Sequence, residues 1–418
     1  MCHYIKMTHS IIFDRNLFGN KINDIYYDGK NVRQITNGEA IEPDLYLNEE
    51  EIKIINQLFC LERIGFPSNK WLNIYKTLNG KKNNATSTPW IYFLKREDFK
   101  NEVQSYIHRV SNEIDKIDQE YLNQFHSYDF LFKSLQPTAI DEEQQKKYYL
   151  GTEQTQKEIL KSFNPNNGYS KKPIYGRINS TTGRLIIEEG PNILILKKEY
   201  RNIITSRFGS EGKIVYLDFS SLEPRVLLSI TRDCQDNDLP QDIYQHFMST
   251  YNLEISRKIV KIALLSQLYG ANEETLYKQL LGHVKKPEEL IAIIKDYFGI
   301  ETLKQKLKEE FNTNNGKYIK NFYGRKISCE GAKPYVLLNY YIQSTAVDVA
   351  MQGFTNIVKK IHKANYQNHI VPLFILHDGL ILDIHEDFFG AIDKLCSIGS
   401  SNIKSFEKIN FFLKEDSF

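Results

Sequence analysis

No run of apolar residues in this 418-residue chain approaches the roughly 20 that span a bilayer, so no contact with a membrane is expected. Cysteine is scarce. Cys2, Cys60, Cys234, Cys329 and Cys396 are odd in number and scattered, with no Cys-x-x-Cys pair. That excludes a disulfide framework and a zinc knuckle and leaves reduced, packed thiols. The opening stretch MCHYIKMTHSIIFDRN lacks an apolar core long enough for a secretory signal, so a cytoplasmic location is expected. Internal repeats and low-complexity tracts are missing, which excludes solenoids and disordered arrays. Net charge is only +2, so the overall balance by itself points to no class of partner.

What is present is the composition of a globular protein, 41% hydrophobic and 25% charged, long enough for a sizeable core and more than one domain. Charge is unevenly spread. Between residues 161 and 213 there are ten Lys or Arg against four Glu, a stripe that suits a polyanion backbone or a solvated face. Residues 1–45 are polar and weakly patterned. A helical pattern runs over 48–79, a loop over 79–90, and the clearest helix over 97–125, where Val103, Tyr106, Val110, Ile114, Ile117 and Tyr121 form a narrow apolar seam. Residues 163–183 read as irregular, 242–312 as mainly helical, NFYGRKIS (321–328) as a hairpin and 335–361 as a helix.

Three stretches carry chemistry. In YLDFSSLEPRVLL (216–228), Asp218 ends an apolar strand; Ser220 and Glu223 have the spacing of a capping box, and Pro224 fits near a helix start. A strand turning into a capped helix accounts for this stretch on its own. In SRKIVKIALLSQLYG (256–270), Ser256 can cap a helix on which Arg257, Lys261, Leu265 and Tyr269 share one face. Cations at a helix start oppose the macrodipole, so a triphosphate is one candidate for what they hold. In LFILHDGLIL (373–382), Asp-Gly between apolar runs signals a hairpin that would lift Asp378 to the tip of a sheet. Paired with Asp218, it could hold two divalent ions about 4 Å apart.

In this order and spacing the three stretches resemble motifs A, B and C of family A DNA polymerases, the group of bacterial DNA polymerase I. STTGRLIIEEGPNILIL (180–196) is similar to the T-G-R-L-S-S segment before motif A, and NYYIQSTAVDV (339–349) to the N-x-x-x-Q-G-x-A-A-D helix before motif C. The resemblance covers about half the chain. It implies an α+β, right-hand polymerase fold with a helical thumb (46–165), an antiparallel-sheet palm (166–240 and 335–418) and helical fingers (241–334), with residues 1–45 unassigned. It implies template-directed addition of dNTPs to a primer 3′-OH, with two Mg²⁺, or Mn²⁺ in their place, held by Asp218, Asp378 and the carbonyl of Phe219. Arg257 and Lys261 would grip the triphosphate. Glu223 would exclude a 2′-OH, with Leu265 and Tyr269 bordering the same pocket. Arg184, Asn192, Asn339, Gln343 and His377 would touch primer–template DNA. A processivity factor or a separate exonuclease are the further partners it allows. Replication or repair in a bacterial or phage-infected cell, or an organelle, is the implied setting.

Departures from the family pattern are Leu265 for an aromatic, Ser266 for Gly, Ser221 for Gln, Tyr244 for His, Gly379 for Glu and Leu-Ile-Ile for Leu-Ser-Ser at 185–187. They touch rate and sugar selectivity more than reaction class. The rival readings are a single-subunit RNA polymerase or primase, a gap-filling or translesion enzyme, and a catalytically inactive DNA-binding scaffold. Only 183 residues precede Arg184, too few for a thumb and an exonuclease domain of roughly 200 residues together. Incubation with a mispaired, end-labelled primer is therefore expected to show no excision above a no-enzyme control.

Overall fold

The computed structural model describes residues 9–19, 22–36, 38–61, 70–71, 73–74, 77, 94–231, 240–401, 403–404 and 411–418. The chain divides into two compact units, Met1–Leu122 and Asn123–Phe418.

In the first unit, β1 (Ile11–Phe13), β2 (Ile25–Tyr27), β3 (Val32–Gln34) and β4 (Leu45–Leu47) form a sheet in the order β3-β2-β1-β4, with only β1 and β4 parallel. This sheet occupies the stretch that looked unpatterned. Strands of three residues are too short for an alternation to register. α1 (Glu49–Phe59) starts where the Asn48 side chain accepts the Glu51 N–H at 2.8 Å, and its acidic first turn complements the helix dipole. Most of the predicted helix beyond it, and the predicted loop 79–90, lie outside the described residues. α2 (Arg96–Ile114) buries the expected seam through Val103, Tyr106, Val110 and Ile114, and the Tyr106 ring meets Phe13 and Phe18 edge-on at 6.0 Å. The single helix expected over 97–125 is two. The chain turns at 115–118, where the Asp118 carboxylate accepts the Tyr121 N–H and opens α3 (Gln119–Ser127), a competition that short acidic side chains favour.

The second unit continues with α4 (Asp129–Ser134), β5 (Ala139–Ile140), α5 (Glu142–Gly151), α6 (Gln154–Lys161), β6 (Ile174–Gly176), β7 (Ile186–Glu189) and β8 (Ile204–Thr205). β6 pairs with β7 and β5 with β8. The central sheet then forms from β9 (Gly212–Phe219), followed by α7 (Leu222–Thr231) and the helices α8 (Ile243–Thr250), α9 (Arg257–Leu268), α10 (Glu273–Leu280), α11 (Pro287–Tyr297) and α12 (Ile300–Thr313). β10 (Tyr318–Lys320) and β11 (Lys326–Ser328) make the expected hairpin, and α13 (Leu337–Lys363) leads into β12 (Ile370–Leu376), β13 (Gly379–His385), α14 (Ile392–Ser400) and β14 (Leu413–Asp416).

The central sheet is antiparallel throughout, in the order β12-β13-β9-β14. Period-2 alternation divides its side chains between two cores. Val215, Leu217 and Phe219 of β9, with Leu380 and Leu382 of β13, join the core built on α7 and α13. Leu373, Ile381 and Tyr216 face the other way, onto Leu160, Phe163, Ile193 and Ile203. Burial on both faces explains why β12 and β13 read as near-continuous apolar runs. β12 is an edge strand, and Tyr175 covers part of it. The Tyr175 hydroxyl donates to the Ile375 carbonyl at 2.8 Å and accepts the Ile375 N–H at 2.9 Å.

Beneath the sheet, α13 and α14 cross where Gly353 faces Gly399. A Cβ on Gly353 would lie 2.5 Å from the Gly399 carbonyl oxygen and 2.8 Å from the Phe219 ring. Gly353→Ala is expected to destabilise the protein by about 1–3 kcal/mol, through overpacking that cannot relax against backbone, measured by urea unfolding.

Candidate active site

Three neighbouring strand ends set the site. Gly379 is the pairing partner of Asp218, and the Phe219 N–H donates to the Asp378 carbonyl at 3.2 Å. The two aspartates therefore stand side by side at the end of β9 and at the tip of the β12–β13 hairpin. The turn differs from the Asp-Gly expectation. Leu376 pairs with Gly379, so the two loop residues are His377 and Asp378, and His377 takes the positive φ of 55°. Gly379 begins β13.

The strand-to-helix turn after Asp218 also departs from expectation. Ser221 adopts a φ of 55°, and α7 begins at Leu222. The capping box does not form, because both of its members are engaged elsewhere. The Ser220 N–H donates to the Phe412 carbonyl at 2.8 Å. Glu223 accepts from Arg184 Nη2 at 2.9 Å and from the Tyr269 hydroxyl at 2.8 Å. The Arg225 side chain is fully buried. Its Nε donates to the Ser220 carbonyl and its Nη2 to the carbonyls of Pro240 and Gln241, so it ties this turn to the start of the helical region.

Asp218, Phe219, Glu223, Lys261, Leu265, Tyr269, Arg184, Gln343, His377 and Asp378 line one cleft of about 730 Å³. Ser221 and Tyr244, noted above as departures, line it too. Its floor is apolar, from Ala346, Val347, Ala350 and Met351 of α13. Helical spacing on α9 carries Lys261, Leu265 and Tyr269 to the cleft together. Ser256 opens α9 through its backbone carbonyl, which accepts the Ile259 N–H at 2.9 Å; its side chain makes no cap bond.

Other predicted residues stand apart from that lining. Arg257 is bound to Asp242 at 2.7 Å and lies over the Tyr244 ring at 4.8 Å. Asn192 donates its backbone N–H to Ser162. The side-chain oxygens of Asn192 and Asn339 are buried without a hydrogen bond. Sequence reasoning passed over Tyr216, which lines the cleft and donates to Asp218 Oδ1 at 3.0 Å. Its spacing of two from Asp218 on a strand was the available clue, since such residues share a face.

Electrostatically the aspartate pair is unfinished. Burial, then the charge of Asp378, push Asp218 up to about 7. Burial also raises Asp378, against the pull of Arg184 and Lys261. Among the described residues neither carboxylate has an ion-pair partner. Two crowded carboxylates with open oxygens beside the Phe219 carbonyl are hard donors suited to a divalent cation. No group of three or more His, Cys, Asp or Glu gathers among the described residues, so remaining ligands would come from substrate and water. Burial and the cations Arg184 and Arg201 lower the His377 pKa, which favours a neutral imidazole at pH 7. Burial and the neighbouring Glu223 charge push Tyr269 up to about 12, keeping it a hydrogen-bond donor.

A family model described as DNA polymerase family A matches residues 146–406. The DNA polymerase of Mycobacterium phage L5 is 27% identical over 175 residues, 40% of this chain and 27% of that protein. The DNA polymerase of Mycobacterium phage D29 is 26% identical over 130 residues, 31% of this chain and 20% of that protein. The matched stretch thus spans about a quarter of these relatives' length. Among solved structures, the POL domain of Pol1 from M. smegmatis, in complex with DNA primer-template and dNTP, superposes with a TM-score of 0.50 at 14% identity. That match covers 88% of this chain and 62% of the other, and the likeness bears out the α+β polymerase fold.

Asp218 ionises in the folded protein near 7, against 3.8 for an ordinary aspartate. Its ionisation therefore costs stability as pH rises from about 4, and the full cost is present above 7. Asp218→Asn is expected to raise the melting temperature of the metal-free protein by a few degrees at pH 8, with the gain shrinking toward pH 5. Scanning calorimetry in chelator checks this.

Proposed function

The chain belongs to DNA polymerase family A, and from that premise we propose that it is a template-directed DNA polymerase. It adds dNTPs to a primer 3′-OH by two-metal-ion catalysis. One observation carries this reading: two carboxylates, neither in an ion pair among the described residues, side by side at the end of a sheet in a cleft that also holds Lys261, Glu223 and Tyr269. In the reaction the 3′-oxygen attacks the α-phosphorus of a dNTP, a new P–O bond forms, and pyrophosphate leaves.

Asp218, Asp378 and the Phe219 carbonyl would hold two Mg²⁺, or Mn²⁺ in their place. Bound there, the ions lower the pKa of the attacking hydroxyl and stabilise the leaving pyrophosphate. The remaining work falls to the chain's own side chains. Lys261 meets the triphosphate from α9, and Arg257 joins it by exchanging its Asp242 partner for phosphate oxygens. Glu223, braced by Tyr269 and Arg184, presents a fixed wall to the sugar at C2′. Leu265 lines the same pocket with an aliphatic surface, which supports looser sugar discrimination than an aromatic ring would give. Arg184, Gln343 and neutral His377 meet the primer terminus and template, and Asn192 and Asn339 belong to the same proposal, although their side-chain oxygens are buried in this structure.

We assign residues 46–165 to a thumb, 166–240 and 335–418 to a palm, and 241–334 to fingers. The central sheet and α8–α12 support the palm and finger spans. The two phage relatives support replication in a phage-infected bacterial cell as the setting. A processivity factor or a separate exonuclease belongs to the same proposal.

Primer extension on a DNA template with Mg²⁺ tests it. Wild type is expected to extend with dNTPs, Asp378→Ala to fall to background, and rNTPs to be used measurably but less well. Equal use of rNTPs would favour an RNA polymerase or primase. Clear primer–template binding with no extension would favour an inactive scaffold.

A further inference from the structure

A glycine within a paired strand has no side chain to pack and often marks a close approach by another group. Gly379 sits directly opposite Asp218, and its φ is not in the left-handed region, so backbone freedom is not the reason for it. What surrounds it is. A Cβ on Gly379 would lie 2.2 Å from Tyr216 Cε2, 2.6 Å from Cζ and 2.7 Å from the hydroxyl oxygen. The phenol lies across the space that any side chain at 379 would take. From there its hydroxyl donates to Asp218 Oδ1 at 3.0 Å.

We propose that Tyr216 is a positioning residue that sets the rotation of the Asp218 carboxylate, and that Gly379 is the vacancy which admits it. The inference rests on the polymerase reading for its consequence, but the contact itself stands on geometry. Tyr216 and Asp218 share one face of β9 because they are two residues apart. The pleat directs both toward the cleft, and both line it. The Phe418 ring packs against the phenol as well, its centroid 6.3 Å away and its plane tilted by 48°. With Oδ1 accepting one hydrogen bond, the plane of the carboxylate is fixed and Oδ2 stays available to a cation. Tyr216 acts through Asp218 and does not touch the reacting atoms. The arrangement also accounts for a small residue after His377-Asp378, a position where the family resemblance leads one to expect glutamate. A longer side chain there would have to displace the Tyr216 ring from its present place.

The test is a double-mutant cycle on positions 216 and 379, using Tyr216→Phe, Tyr216→Ser, Gly379→Ala and the Tyr216→Ser/Gly379→Ala pair. Mn²⁺ is the probe, its binding to the full chain titrated by electron paramagnetic resonance with and without primer–template. Melting temperatures establish that each variant is folded. Tyr216→Phe keeps the ring and loses only the donor. It is expected to weaken Mn²⁺ binding about tenfold and to lower kcat by a similar factor, with KM for dNTP little changed. Gly379→Ala is expected to weaken Mn²⁺ binding when Tyr216 is present and to cost little once residue 216 is serine.

Tyr216→Phe binding Mn²⁺ within twofold of wild type would overturn the proposal, as would equal costs of Gly379→Ala in both backgrounds. A wild type that extends no primer would sink the polymerase reading alone. The Mn²⁺ titrations would still decide the role of Tyr216.

Discussion

The pairing of β9 with β13 is the constraint on which the site depends. It brings two carboxylates together where burial and mutual repulsion both oppose ionisation. Folding tolerates the conflict because the same strands are packed on both faces, into the cores under α13 and under the segment around Ile193. Apolar burial on the order of 1.5–3 kcal/mol per large side chain outweighs one unfavourable pair many times over. The strain is local and useful. A protein surface that repels its own charge is poised to bind the opposite one.

A second layer of charge surrounds that pair, and it is largely self-neutralised. Arg184 pairs with Glu223, and Arg257 with Asp242. These pairs are partly exposed and so individually weak. They preorganise side chains without locking them, because a polyanion can replace a carboxylate at little cost. Lys261 has no such partner among the described residues and is the first cation available to an incoming phosphate.

How much of this was legible before the structure depended on chain separation and on competition between partners. The α9 face could be read from its periodicity, since Lys261, Leu265 and Tyr269 recur every fourth residue and do reach one cleft. The strand ends bearing Asp218 and Asp378 were visible as apolar runs. Hidden were features decided by contacts between distant residues. Local spacing alone gave Glu223 a capping role beside Ser220, and only the family resemblance brought it to the pocket, where its carboxylate bonds Arg184 and Tyr269. The helix over 97–125 has a continuous seam, and only Asp118 competing for a backbone N–H divides it. Three-residue strands in the first unit carry too little periodicity to be seen. Tyr216 was passed over because its importance lies in what Gly379 lacks, which no single stretch of sequence displays.

One detail away from the site bears on how the protein survives its own composition. β12 is wholly apolar and ends the central sheet, a combination that invites pairing with another chain. The Tyr175 hydroxyl engages both the carbonyl and the N–H of Ile375, as an adjacent strand would. At Ile375 one phenol thus imitates a neighbouring strand, and further along β12 the Gln136 N–H donates to the Pro372 carbonyl at 2.9 Å. Pairing of another strand onto β12 would first have to displace these bonds.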